Sequence, residues 1–191
     1  MTNMKEEIIE RLEETIRVLN DIKQHASIIS SITMEIINAY RNKKKVVLFG
    51  NGGSAADAQH IAGEFVGKFY KDRESLPALA FHTNTSVVTA TANDYGYDVI
   101  FERQVSSLVN DGDVVIGIST SGNSPNVIKG LEKAKEKGAI TIGFTGQKEN
   151  KIEKITDYCL KIPSTDTPRI QEGHISVGHI ICYLVENELF K

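Results

Sequence analysis

An α/β fold, with a parallel sheet covered by helices on both faces, is predicted for this 191-residue sequence by three observations. Short, continuously apolar runs recur along the chain, amphipathic helical stretches separate them, and the first 40 residues contain neither glycine nor proline. Strands that meet helices on both faces read as unbroken apolar runs rather than as alternation. In chain order, Ile8, Ile9, Leu12, Ile16 and Leu19 mark a first amphipathic helix. Ile28, Ile29, Ile32, Ile36 and Tyr40 mark a second, with a bend near His25-Ala26-Ser27. Residues 1–42 are therefore expected to form a helical extension that packs its apolar stripes on the core or on a neighbouring subunit. The basic run Arg41-Asn42-Lys43-Lys44-Lys45 reads as a solvated turn before the first strand.

About five strands are expected. The first covers residues 46–49 and ends in Gly50-Asn51-Gly52-Gly53-Ser54, with a helix over 55–70 behind it. The others cover residues 78–81, 114–118, 139–144 and 158–162. Asn93 and Asp94 fall in a polar loop before a helix of about residues 99–108, so Asp94 reads as an N-cap or turn residue. Helices are expected over 123–137 and 169–190. The last has apolar positions on more than one stripe, which its own domain and a neighbouring helix or subunit would cover together. With no internal repeat, the chain is expected to be one domain.

Composition narrows the function. Hydrophobic residues make up 40% and charged residues 25% of the chain, values of an ordinary globular protein. A formal net charge of -3 demands neither a nucleic acid nor an anionic membrane as partner, so an anionic ligand would have to be held by a local site. The N-terminus carries no apolar signal core and no window has the length and apolarity of a membrane span, which makes the cytoplasm the expected compartment. Cys159 and Cys182 are expected as reduced, buried thiols; two cysteines build neither a disulfide scaffold nor a cysteine zinc knuckle.

In an open parallel sheet, ligands bind beyond the C-terminal ends of the strands. Two turns there have suitable composition. Gly50-Asn51-Gly52-Gly53-Ser54 permits close backbone approach but matches neither the dinucleotide fingerprint nor a P-loop. Ser119-Thr120-Ser121-Gly122-Asn123-Ser124-Pro125 concentrates hydroxyls at a helix start, beside its orphan amides and positive dipole end, which suits a phosphate monoester. Pro125 fits the first helical turn. His60 and Glu64, four residues apart on the helix after the glycine turn, share a face and can reach one substrate atom or one cation. Gln171, Glu172, His174 and His179 cluster on the last helix. Gln171 and His179 lie about 80° apart around that helix and about 12 Å along it, so they converge only on a group between and beside them.

Taken together, Gly50-Asn51-Gly52-Gly53-Ser54, His60 with Glu64, Ala92-Asn93-Asp94, the run from Gly117 to Ser124, and Arg169-Ile170-Gln171-Glu172 with His174 and His179 resemble the bacterial phosphoheptose isomerase family, which is built on the sugar isomerase (SIS) domain. The resemblance runs over essentially the whole chain. It implies a three-layer α/β sandwich around a five-stranded parallel sheet with additional N-terminal helices, assembled as a homotetramer with interfacial active sites. It implies conversion of sedoheptulose 7-phosphate into D-glycero-D-manno-heptose 7-phosphate, which feeds nucleotide-heptose synthesis. By the same resemblance, Ser119, Thr120, Ser121 and Ser124 hold phosphate, and Asn51, Gly52, Gly53, Asn93, Asp94 and Gln171 bind the sugar. His60, Glu64, Gln171 and His179 bind Zn2+ in members that carry it; Glu64 is the expected general base and His179 the general acid.

That assignment is chemically coherent. Aldose–ketose isomerisation moves a proton between C1 and C2 and redistributes another between their oxygens through an enediol(ate), so it needs a carbon base and an oxygen acid. One tension is that a histidine nitrogen bound to metal is not at that moment an acid; the ion and the imidazole would then serve in different forms of the site. Two other readings share the SIS fold: a non-catalytic protein that binds the replication initiator, and an isomerase of another phosphosugar. Joint presence of Glu64 and His179 favours catalysis over the first. Departures from the family pattern are Lys68, where relatives carry arginine, and Thr167-Pro168, where some carry an acidic residue.

Overall fold

The computed structural model describes residues 3–191. Helix α1 (Met4–Ile22) starts at Asn3, whose side chain accepts from Lys5 N at 3.1 Å. A 3-10 turn, Lys23–His25, makes the expected bend into α2 (Ala26–Arg41). The two helices differ in what they cover. α2 buries Ile29, Ile32, Ile36, Ile37 and Tyr40, whereas α1 buries only Ile22 and leaves Ile8, Ile9, Leu12, Ile16 and Leu19 exposed. After α2 the basic run forms the expected turn, with Lys43 at φ 58°; it is tied down by Lys44 Nζ donating to Asp111 O and by the Lys45–Asp113 ion pair.

The sheet holds β1 (Val46–Gly50), β2 (Ala78–Ala80), β3 (Val114–Ile118), β4 (Ile140–Gly146) and β5 (Tyr158–Ile162), all parallel, in the order β2-β1-β3-β4-β5. Successive residues feed opposite faces. Val46, Leu48, Val114, Ile116 and Ile118 pack with α2, α3 (Gly53–Val66) and α8 (Thr167–Leu189). Val47, Phe49 and Val115 pack with α5 (Ile100–Leu108) and α6 (Pro125–Glu136), and there Phe49 stacks on Phe101 at 4.8 Å between ring centroids. The result is three layers, helix on sheet on helix. β1 and β3 are neighbours with Gly50 opposite Ile118, so the strand order reverses between them. Both chemically suspicious turns leave the sheet at this switch point, where open α/β sheets bind ligands.

The chain departs from expectation in several places. Asn93 and Asp94 are not in a loop: they belong to the last turn of α4 (Thr85–Tyr95), which ends at Gly96 with φ 93°. Asn84 starts that helix by accepting from Val87 N at 3.2 Å, and Thr89 returns its hydroxyl to Thr85 O at 2.7 Å, so polar residues that read as loop satisfy themselves inside a helix. A short helix, α7 (Lys151–Ile155), was not expected; Asn150 caps it by accepting from Glu153 N at 2.9 Å. α3 stops at Val66, four residues before the expected end, and α8 begins at Thr167 with Pro168 in its first turn. Both cysteines are free thiols; Cys182 is buried as expected, but Cys159 is only half-buried. Burial pushes the Cys182 thiol up to about 12, which leaves it protonated and inert. Among the described residues no helix is long and apolar enough to cross a membrane.

Candidate active site

The turn after β1 is shaped by Gly52, whose φ of 56° and ψ of −122° suit only glycine. A Cβ at Gly53 would collide with the Gln171 amide, so the glycine lets α8 close on the start of α3. Asn51 exchanges two amide hydrogen bonds of 2.9 Å with Asn126 in the first turn of α6, and Tyr97 Oη donates to Asn51 Oδ1 at 3.1 Å. This half-buried reciprocal pair joins the turns after β1 and β3. Asn126 and Tyr97 were missed from the sequence; an asparagine directly behind Pro125 was the available signal.

The turn after β3 collects its hydroxyls inward. Ser119 Oγ lies 2.9 Å from Ser124 Oγ and 3.4 Å from Ser121 Oγ. Ser124 occupies the N-cap position of α6 but makes no capping bond, so its hydroxyl is spent on the turn rather than on the helix. Gly122, at φ 63°, closes the turn through Gly122 N donating to Ser119 O at 3.0 Å. Thr120, Ser121 and Asn123 line a cavity of about 220 Å³ with Gly146, Lys148 and Thr167. Grouped hydroxyl donors at the positive end of α6 are the chemistry a dianionic phosphate requires. Asn93 and Asp94 lie exposed at the end of α4, joined by a 2.8 Å bond from Asn93 Nδ2 to Asp94 Oδ1.

A second group forms between α3 and α8. His60 Nε2 is 3.1 Å from Glu64 Oε1 and 2.9 Å from His179 Nε2, so residues 119 positions apart meet at one point. These three side chains form a possible metal-binding group, their donor atoms all within 4.8 Å of one another. A tetrahedral cation with bonds of about 2.0–2.1 Å holds its ligands about 3.3 Å apart, close to the 3.1 and 2.9 Å separations about His60 Nε2. One proton on His60 Nε2 can be shared with either neighbour, whereas a cation satisfies all three donors together. The residues therefore fit a metal of the zinc type. His60 and Glu64 also line an open cleft of about 540 Å³ with Gln59, Gly63, Gly67 and Lys68, and this cleft shares no lining residue with the cavity at the serine turn.

Gln171 rests against Gly53, seven residues before His60 on α3 and so about 10 Å along the helix axis. Glu172 pairs instead with Arg169 at 2.6 Å and accepts from Thr15 at 3.0 Å, joining α8 to α1. His174 faces away from the group, into the sheet, with Nε2 at 3.2 Å from Thr145 O. Asp57, one turn before His60, has a buried Oδ2 with no hydrogen-bond partner among the described residues. Burial pushes this carboxyl up to about 6, partly offset by His60. Its place at three residues before His60 was a signal in the sequence that went unused.

A parallel sheet with a hydroxyl-rich turn at its switch point and a His/Glu group one helix away defines a phosphosugar-handling protein of the SIS domain class; the SIS domain family matches residues 10–146. The phosphoheptose isomerase of Aneurinibacillus thermoaerophilus is 56% identical over 164 residues, covering 86% of this chain and 83% of that protein. Phosphoheptose isomerase 2 of Campylobacter jejuni is 51% identical, covering 100% of this chain and 96% of its own length. The solved phosphoheptose isomerases of Francisella tularensis and Neisseria gonorrhoeae superpose with TM-scores of 0.94 and 0.92, at 28% and 37% identity. Each superposition covers 97% of this chain and 100% of the other. The chain belongs to the phosphoheptose isomerase family.

Proposed function

We propose that this enzyme isomerises D-sedoheptulose 7-phosphate to D-glycero-D-manno-heptose 7-phosphate through an enediol(ate), in the cytoplasm, as a step toward nucleotide-activated heptose. The observation that carries the reading is the meeting of Glu64 and His179 within 3.1 Å of His60 Nε2, with His60 and Glu64 on the helix that leaves the same switch point as the serine-rich turn. Ser119, Thr120, Ser121 and Ser124 hold the phosphate. Asn51, Gly52, Gly53, Asn93, Asp94 and Gln171 bind the sugar. Anchoring the phosphate end removes most of the rotational freedom of the reacting carbons, which is where orientation contributes to rate.

Glu64 takes the proton from one carbon and returns it to the other, while His179 gives a proton to the carbonyl oxygen and recovers one from the neighbouring hydroxyl. His60, in contact with both, holds them at working distance. His60, Glu64 and His179 would hold Zn2+, which when bound supplies positive charge against the oxygen that becomes anionic; Gln171, held against Gly53 in its own chain, would join that set from a neighbouring chain. The reading includes a homotetramer with interfacial active sites, in which a neighbouring chain completes the site. The whole chain acts as one SIS domain, and residues 1–42 serve as the helical extension that meets the core or a neighbour.

Incubating purified protein with sedoheptulose 7-phosphate, with and without chelator and added Zn2+, tests the reading through aldose formation. Glu64→Gln and His179→Ala are each expected to lower kcat by at least about a hundredfold with the fold intact. Folded wild-type protein that binds the substrate without converting it under either metal condition would overturn the assignment.

A further inference from the structure

The loop after α3 is fastened by a buried ion pair that reaches both halves of the reactive group. Arg73 Nε donates to Glu186 Oε2 at 2.9 Å, and both side chains are 2% exposed. Every other hydrogen bond of the pair serves a backbone group. Arg73 Nη2 donates to Glu64 O at 2.9 Å, and Nη1 donates to Phe65 O and Glu74 O at 2.9 Å. Glu186 accepts from Phe69 N at 3.0 Å, Tyr70 N at 2.7 Å and Lys71 N at 2.8 Å. Those amides and Arg73 hold its carboxyl down at about 2 despite burial.

A helix leaves its last four carbonyls without partners of its own. In α3 these are the carbonyls of residues 63–66. Gly67 N donates to the first and Ser75 Oγ to the last, while Arg73 takes the two between, sharing Phe65 O with Leu76 N and reaching the carbonyl of Glu64 itself. On the other side, Glu186 follows His179 by seven residues, two turns along the same face of α8. It also fixes Phe69, whose ring packs 5.8 Å from the His179 imidazole. One arm of the pair thus grips the backbone of Glu64 and the other grips the aromatic wall behind His179.

We propose that the Arg73–Glu186 pair is a positioning clamp that sets the separation of Glu64 and His179, and with it both turnover and metal affinity. This rests on the assignment of Glu64 and His179 as the reacting pair. The clamp touches neither substrate nor the phosphate turn, which hangs from β3 and α6, so its loss acts on kcat and on the metal group while leaving phosphate recognition in place. Arg73→Lys keeps the charge but cannot fork across the Glu64, Phe65 and Glu74 carbonyls. Phe69→Ala keeps the ion pair and the Phe69 amide bond but removes the wall.

For Arg73→Lys, Glu186→Gln and Phe69→Ala, steady-state kinetics with sedoheptulose 7-phosphate and Zn2+ affinity by competition with a chromogenic chelator would be measured beside circular dichroism. The expected result is a kcat reduced at least tenfold, a KM within about twofold of wild type, and Zn2+ affinity weakened at least tenfold, with native spectra. Should Glu186→Gln fail to fold, Arg73→Lys and Phe69→Ala decide the matter. Folded Arg73→Lys and Phe69→Ala proteins with wild-type kcat and Zn2+ affinity would overturn the clamp. Glu64→Gln separates this from the reading beneath it. Wild-type turnover in that variant overturns the catalytic assignment alone, while weakened Zn2+ affinity in the clamp variants still supports positioning of the three side chains.

Discussion

His174 and His179 stand five residues apart on α8 and have opposite fates. His174 is fully buried against Phe144, and its Nε2–H donates to Thr145 O, which leaves Nδ1 buried without a partner. Protonating Nδ1 would bury an unsatisfied N–H and a charge, so burial lowers this imidazole from 6.5 to about 4. A base whose folded value lies below its unfolded one stabilises the fold fully above about 6.5 and loses that contribution as pH falls toward 4. His174→Gln, which keeps a donor for Thr145, is expected to flatten the fall in denaturant stability between pH 6.5 and 4 by an amount on the order of 3 kcal/mol. An unchanged pH slope in urea titrations would assign acid sensitivity elsewhere. Spacing alone grouped His174 and His179 as one polar cluster, and the family resemblance singled out His179; the direction each ring takes from α8 supplies the physical reason.

At the scale of elements, the serine turn depends on neighbours distant in sequence. A Cβ on Gly122 would strike the Asn150 side chain, the residue that caps α7, and would also oppose the left-handed backbone at φ 63°. Gly122→Ala is expected to cost about 1–3 kcal/mol of stability and, by displacing the hydroxyls, to raise KM about tenfold with kcat changed less. A variant with wild-type KM would show that the turn tolerates the shift. The hydroxyls of this turn, the glycine turn and the His60/Glu64 spacing were legible in the sequence because each is local. The helix at residues 85–95 was not, since threonines and asparagines that compete with helices in isolation are here bonded to their own helix. The Asn51–Asn126 bridge was equally hidden, because it joins loops from two strands that become neighbours only in the sheet.

At the scale of the molecule, the apolar side chains left exposed among the described residues include the α1 stripe of Ile8, Ile9, Leu12, Ile16 and Leu19, and Ile180, Tyr183 and Leu184 on α8. Contiguous apolar surface of this kind marks an interaction site, and a second copy of the chain is the occupant the proposed homotetramer supplies. Leu12→Glu combined with Ile16→Glu is expected to shift the light-scattering mass to a smaller species and to reduce turnover at least tenfold, with helical content retained. An undiminished assembly mass would place the interface away from α1.

By itself the sequence determined the alternation of buried strands and amphipathic helices, the glycine-rich and hydroxyl-rich turns at strand ends, and the pairing of His60 with Glu64. These are encoded in periodicity and in short spacings that a local backbone cannot escape. Tertiary structure decided that β1 and β3 are neighbours, so that both turns open at one switch point, and it brought His179, which the family resemblance had singled out, onto His60. It also decided that Arg73 and Glu186 lock the end of α3 to α8. Such contacts join residues 68 to 119 positions apart and arise from how strands pair and helices close over the sheet, which no run of neighbouring side chains can specify.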